Sequence, residues 1–175
     1  DATARLLRVA LTWLIDDTPA HHDAEWPAII SLCHTRQLLD PEIDPLDDLS
    51  LEQALIAAAL DESVPPGLAA HLRLLFRVAF HLRERLALDN WRTLNLLMQE
   101  MARHAQRGSS LTEVLSQLDR RVVTLMTLAG FTLDGTTRDQ GWRFLSIGRR
   151  LERLQSMTLT LSQALAHARE GNESD

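Results

Sequence analysis

The sequence of 175 residues predicts an all-α domain, a helical bundle of about six helices with a long C-terminal helix. Apolar residues recur at spacings of three and four over most of the chain, as on one face of a helix. Capping residues, Gly and Pro separate these stretches. No stretch alternates β-branched and polar residues as a half-buried strand does, and the few Val and Ile residues lie within helical patterns.

The first two helices are predicted from apolar spacing near the start of the chain. The pattern Leu6–Leu14 has no capping residue or initiator Met ahead of it, so we expect an excised domain whose first helix begins upstream. A second helix carrying the apolar residues of Trp26–Leu38 is expected to follow Asp23 as its cap. Its first turn contains Pro27, whose missing N–H does little harm at that position.

Three capping boxes predict later helix starts. In each box a Ser or Thr is followed three residues on by Glu or Gln, namely Ser50 with Gln53, Ser110 with Glu113 and Thr137 with Gln140. The helices that they open are expected to end near Leu60, Ala129 and Arg169. Between the first two boxes, the patterns 68–88 and 89–108 are compatible with one kinked helix or with two.

Composition and charge favour a soluble protein with a single domain over residues 1–175. The chain is 45% hydrophobic and 24% charged, and it has no apolar run of the roughly 18 residues that a membrane span needs. No signal-peptide pattern opens the chain, so a cytoplasmic location is expected. The net charge of −6 argues against nucleic acid as a partner.

Neither a metal site nor a cofactor is expected. His21 and His22 are adjacent, His71 and His81 are ten residues apart, and no Glu-x-x-His pair of the kind that holds metals in helical bundles occurs. The single Cys33 has no partner for an internal disulfide, so we expect a buried and unreactive thiol.

The most unusual segment is Thr137–Arg153, TRDQGWRFLSIGRRLER, which contains five arginines, a tryptophan and one Glu. A helical wheel predicts a core stripe made of Phe144, Ile147, Leu151, Leu154, Leu161 and Leu165. A second arc contains Leu145, Gly148, Glu152 and Leu159. On this arc we expect Glu152 to be packed rather than freely solvated, with Gly148 allowing a neighbouring backbone to come close.

A packed carboxylate at Glu152 needs partners, because burial of an unpaired charge is costly. Two interpretations stay open: a buried Glu–Arg network that ties helices together, or an anion or partner site beside the helix start. The candidate residues for both are Arg138, Asp139, Trp142, Arg143, Arg149, Glu152 and Arg153. Trp91 and Asn95 are secondary candidates for the same polar centre, with Trp91 as a plain core residue the alternative.

Two segments resemble the alpha-E domain, a bacterial all-helical family named for its Glu-Arg motif. In Thr137–Arg153 the Arg-Asp, Gly-Trp-Arg-Phe-Leu and Gly-Arg-x-x-Glu-Arg groups are similar to the family pattern, and RERLALDNWRTLN, Arg83–Asn95, is similar to its second signature. The chain departs from the family at Val78–Phe80, where Asn-Ala-Arg is usual. The resemblance also implies an earlier Glu-Arg motif, which we expect to lie upstream of residue 1.

The resemblance implies partners more than a reaction. Alpha-E domains are fused to, or encoded beside, circularly permuted ATP-grasp ligases, and they occur near transglutaminase-like proteases. We therefore expect a non-catalytic accessory or interaction module of an amide- or peptide-bond-forming system, with an ATP-grasp-type ligase as the main partner and such a protease as a second.

The alternative is an enzyme or ligand-binding domain with an anion site around Glu152 and the neighbouring arginines. In that case Glu152 acts as a base or orienting carboxylate. The sequence contains no Gly-rich phosphate loop, HExxH or Gly-x-Ser-x-Gly motif, which favours the interaction module.

Overall fold

The computed structural model describes residues 1–15, 25–104, 110–134 and 138–173, and within these ranges it is all-helical, as predicted. It contains seven α-helices in the described ranges: α1 Ala2–Trp13, α2 Trp26–Thr35, α3 Asp48–Leu60, α4 Leu68–His81, α5 Leu88–His104, α6 Leu111–Asp134 and α7 Gln140–Glu173. A short 3-10 turn, Arg83–Arg85, joins α4 to α5.

The core lies around α6, which packs against α1, α3 and α5, and α1 also packs against α3. The fully buried leucines at its centre are Leu7, Leu11, Leu51, Leu55, Leu97 and Leu118. Leu7 and Leu11 are four residues apart, as are Leu51 and Leu55, so α1 and α3 each place one apolar stripe against their neighbours. Removing such a side chain from water stabilises the fold by roughly 1.5–3 kcal/mol.

Helix α2 covers one side of this core and contains the lone cysteine. Cys33 is fully buried, and burial raises the pKa of its thiol to about 12, although the positive charge of Arg36 opposes the rise. The predicted buried thiol is therefore confirmed. Pro27 lies in the first turn of α2, also as predicted.

The helix caps follow the sequence in one case and depart from it in another. At the start of α6 the backbone N–H of Ser110 donates to Glu113 Oε2 and that of Glu113 to Ser110 Oγ, so this capping box is confirmed. The box at Ser50 is wrong because α3 begins earlier. The carboxylate of Asp47 accepts the N–H of Ser50 at 3.2 Å, so Ser50 already lies inside the helix.

Other helix boundaries resolve the alternatives that the sequence left open. The patterns 68–88 and 89–108 form two helices, because the 3-10 turn and the extended backbone at Leu86 separate α4 from α5. Helices α6 and α7 run about one turn further than predicted, to Asp134 and Glu173. The predicted caps Asp23 and Thr137, the end at Gly108 and the pair His21 and His22 lie outside the described residues.

Helix α7 packs on α2 through polar side chains. Ser31 Oγ donates to Gln163 Oε1 at 2.7 Å, and Gln163 Nε2 donates to Thr35 Oγ1 at 3.2 Å. One turn or more away, Arg36 Nη2 donates to Ser156 Oγ at 2.7 Å. The side of α7 that faces the domain is thus largely polar, with Leu159 as its partly buried apolar contact.

The opposite side of α7 is apolar and faces solvent. The six residues of this side, called the outer stripe below, are Phe144, Ile147, Leu151, Leu154, Leu161 and Leu165, and between 53% and 75% of each is exposed. The prediction that they form a core stripe is wrong, because Ser156 and Gln163 on the far side of the helix make the contacts to α2. The predicted close backbone approach at Gly148 is also wrong, since a Cβ placed there meets nothing within 4 Å.

Candidate functional site

The start of α7 is fixed by the first residues of the Thr137–Arg153 segment. Asp139 is its N-cap, with Oδ1 accepting the backbone N–H of Trp142 at 2.9 Å. The guanidinium of Arg138 lies 5.7 Å from the centre of the Trp142 ring, within the range of a cation–π contact. Helix α7 therefore begins at Gln140, and Asp139 supplies its described cap.

The two sequence signatures meet at this helix start. Arg85 of the 3-10 turn places Nη1 3.6 Å from Asp139 Oδ2, which brings the Arg83–Asn95 signature to the Thr137–Arg153 signature. Both side chains are half exposed or more, so the pair contributes well under about 1 kcal/mol to stability. Its effect is to orient the two segments rather than to hold the fold together.

Glu152 lies on α7 and is exposed. The expectation that it is packed therefore fails, because the face of α7 that it shares is held away from the core by polar contacts to α2. Glu152 makes no hydrogen bond or ion pair with another described side chain.

The arginines of the segment point to different surroundings. Arg149 donates from Nη1 to the carbonyl oxygen of Ala129 near the end of α6, at 3.2 Å. That bond ties α7 to the last turns of α6. Arg143 and Arg153 are exposed, and their side chains make no hydrogen bond or ion pair with another described residue. The arginines thus do not converge on Glu152.

Trp91 and Asn95 belong to a different cluster. The ring of Trp91 stacks on Phe76 of α4 at 5.6 Å between centroids, with Phe80 6.1 Å away. Asn95 donates from Nδ2 to the backbone carbonyl of Trp91, one turn back in α5. Trp91 therefore lies partly buried in an aromatic cluster between α4 and α5, outside the leucine core, and no contact links either residue to Glu152.

The buried polar network of the domain lies elsewhere and was not predicted. Arg121 of α6 is 5% exposed, donates from Nη1 to the carbonyl of Ala59 near the end of α3 at 2.8 Å, and contacts Gln117 Oε1 through Nη2 at 3.3 Å. Burial lowers the pKa of Arg121 to about 10, and the charge of Glu100 partly offsets this effect. Because the contact to Ala59 spans 62 positions, no local sequence pattern signals it.

Asn90 is a second buried polar residue that the sequence did not single out. It lies in the first turn of α5, only 1% of it is exposed, and neither polar atom of its side chain has a hydrogen-bond partner in the described part of the chain. In the sequence, only its position inside the Arg83–Asn95 signature could have indicated a role for Asn90. It precedes Trp91, so it helps to place the signature in the α4–α5 interface.

The described residues lack a metal-binding group and a membrane-spanning helix. They contain no group of three or more His, Cys, Asp or Glu side chains arranged to hold a metal ion. Among the helices described, none combines the length and the apolar character that crossing a bilayer requires.

The fold defines an all-helical bundle domain with a polar-faced terminal helix. A family model matches residues 1–175, the whole chain, and the family is Alpha-E, a predicted alpha-helical domain with a conserved ER motif. The chain belongs to this family. No curated protein and no solved structure gave a match.

Proposed function

We propose that this chain is a non-catalytic docking module of a bacterial, cytoplasmic amide- or peptide-bond-forming system. Its partner is a circularly permuted ATP-grasp-type ligase, in the same chain or encoded nearby, and the outer stripe of α7 receives an amphipathic helix of that ligase. The observation that carries the proposal is the solvent exposure of the outer stripe.

The spacing of the outer stripe suits a partner helix. Its members alternate at separations of three and four from Phe144 to Leu154, and Leu161 and Leu165 continue the same register one heptad on. This is the period of a two-helix seam, in which each apolar side chain inserts between four residues of the facing helix. A flat or irregular partner surface would not require apolar residues at regular heptad spacing.

The area of the outer stripe is sufficient for a specific interface. At the observed exposures it leaves on the order of 600 Å² of apolar surface in water, against roughly 800 Å² per partner in a standard interface. Single exposed apolar side chains are ordinary, whereas a continuous stripe of this size marks an interaction surface.

The charge beside the outer stripe indicates the chemistry of the partner helix. Arg143, Arg150 and Arg153 all lie in the N-terminal half of α7, are exposed, and make no side-chain ion pair with another described residue. Like charges placed beside them would repel, so a second copy in parallel orientation is disfavoured. A helix with acidic residues opposite this half and an apolar seam along its length is complementary.

The arrangement around Glu152 also supports docking over catalysis. A general base is useful when its surroundings shift its pKa and when other groups converge on the reacting atoms. Here the carboxylate is exposed, and Arg149, Arg143 and Arg153 extend to separate places on the surface. The segment serves better as a charged border to the outer stripe than as a clamp.

A binding measurement with the ligase tests the proposal. Isothermal titration calorimetry should give micromolar affinity for wild type, and Leu161→Asp should weaken binding at least tenfold because it places a charge in the seam. Leu96→Asp is the matched control, since Leu96 on α5 is also a leucine with 58% exposure, as Leu161 is. It should leave the affinity unchanged.

Two results contradict the proposal. One is absence of binding to the ligase, or equal loss of affinity in both variants. The other is a wild-type homodimer that Leu161→Asp converts to a monomer and that the ligase does not dissociate, because a second copy then occupies the outer stripe. Size-exclusion chromatography with light scattering distinguishes these states.

A further inference from the structure

An open cavity of about 400 Å³ lies on the surface of α4, far in sequence from the Glu152 segment. Its polar wall consists of Arg73, Arg77 and His81, and its apolar wall includes Phe76 and Phe80. The three polar residues are spaced four positions apart, so they form one column on the helix. The like charges of Arg73 and Arg77 at this spacing destabilise the helix unless an anion offsets them.

One acidic side chain balances part of this charge. Glu62 also lines the cavity, and its Oε2 lies 2.7 Å from Arg73 Nε in a salt bridge. Arg77 makes no hydrogen bond or ion pair with another described residue. One arginine at the wall is therefore compensated and its neighbour one turn on is not, so the uncompensated charge matches a single negative group.

The apolar wall is held in place by neighbouring aromatic rings. Phe76 is half-buried and stacks on Trp91 with 19° between the ring planes. Phe80 lies 6.1 Å from Trp91 and carries the guanidinium of Arg83 5.5 Å from its ring centre. Because the rings are packed against α5, they offer a fixed surface to a ligand and lose little side-chain entropy on binding.

We propose that this cavity binds a small organic carboxylate with an aromatic or aliphatic body. The carboxylate pairs with Arg77, whose planar guanidinium suits bidentate contact, and the body lies along Phe76 and Phe80. His81 borders the same end of the column. The site is separate from the outer stripe of α7 and does not depend on the ligase interaction.

Phenylacetate and its neutral analogue phenylacetamide provide the test. In a ¹H–¹⁵N NMR titration of the whole chain, phenylacetate should bind with millimolar affinity and shift the amides of 70–81 and of Trp91. Phenylacetamide should bind at least tenfold more weakly, because it lacks the charge that Arg77 recognises. Equal affinities, or shifts that map to other helices, overturn the proposal.

Three variants assign the charge recognition to single residues. Arg77→Gln should lose at least tenfold in affinity for phenylacetate, whereas Arg92→Gln, an exposed arginine of α5 outside the cavity lining, should not change it. Glu62→Gln releases Arg73 from its salt bridge and should tighten binding severalfold. Misfolding cannot raise the affinity, so a gain in Glu62→Gln shows that the site is intact. Unchanged binding in both Arg77→Gln and Glu62→Gln overturns the proposal.

Phenyl phosphate separates the carboxylate from other anions. With one uncompensated arginine among the lining residues, the cavity should bind phenyl phosphate no more than severalfold tighter than phenylacetate. Binding tighter by tenfold or more, with loss in Arg77→Gln, overturns the carboxylate assignment in favour of a phosphate monoester.

Discussion

Helices α6 and α7 show two outcomes of the same sequence pattern. Both carry apolar residues at three- and four-residue spacing, but Leu118 of α6 is fully buried and Leu161 of α7 is 58% exposed. Helix α6 contacts α1, α3 and α5, whereas α7 rests on α2 through Ser156 and Gln163. An apolar stripe thus predicts a helix, but what covers the stripe depends on which neighbours are within reach.

Truncation of one leucine in each helix is the strongest test of this contrast. Leu118→Ala should lower the free energy of unfolding by about 2–5 kcal/mol, because it leaves a cavity in a packed core. Leu161→Ala should cost less than about 0.5 kcal/mol, since the side chain is already mostly in water. Urea denaturation followed by circular dichroism measures both. A loss at Leu161 as large as that at Leu118 would mean that the outer stripe is covered in solution.

The pH dependence of stability tests whether water reaches the Cys33 thiol of α2, on the side of the core that α7 covers. Burial raises the pKa of Cys33 from 9.0 to about 12, so the folded chain keeps a thiol proton that the unfolded chain loses. This contribution is complete below pH 9, and it is lost as pH rises towards 12. At about pH 10.5 wild type should have lost on the order of 2 kcal/mol more than Cys33→Ala, relative to neutral pH.

Urea denaturation of both proteins at the two pH values gives this difference. Parallel loss of stability in wild type and Cys33→Ala would show that the thiol is reached by water when α2 and α7 are in place. The variant also serves as the control for other groups that titrate in alkali.

Two glycines extend the comparison to the backbone. A Cβ at Gly67 would lie 2.6 Å from the carbonyl oxygen of Ala58, so Gly67→Ala should cost about 1–3 kcal/mol by forcing α3 and α4 apart. Gly148 lies inside α7 with open space around it, so Gly148→Ala should stabilise by about 0.5–1 kcal/mol through helix propensity. Thermal unfolding measures both changes, and destabilisation by Gly148→Ala would contradict the open surroundings of α7.

Features set by neighbouring residues were predictable from the sequence. The all-α fold, the Ser110 capping box and the burial of Cys33 follow from local spacing and hydrophobicity, and all three are confirmed. The cap of α3 was placed at Ser50 instead of Asp47, because several residues of that acidic stretch can accept a helix N–H and only the backbone path decides among them.

Features set by distant residues were not predictable. A helical wheel separated the faces of α7 correctly but assigned the wrong one to the core, because the contacts that hold it come from Ser31 and Arg36, more than a hundred positions away. The buried Arg121 depends in the same way on the carbonyl of Ala59. The prediction that Glu152 is packed is wrong for the same reason, because the sequence does not show which residues α7 contacts.

The polar attachment of α7 has a consequence for how the molecule opens. Hydrogen bonds such as that between Arg36 and Ser156 can be replaced by bonds to water at small net cost. Exposure of the buried leucines of α1 and α6 to water has no such compensation. We therefore expect amide hydrogens in α7 to exchange with solvent after local detachment and unfolding of this helix, and those in the buried part of α6 to exchange mainly when the whole bundle unfolds. A ligand that covers the outer stripe should slow amide exchange in α7 before it affects the other helices. Exchange rates in α7 therefore measure docking without an added label.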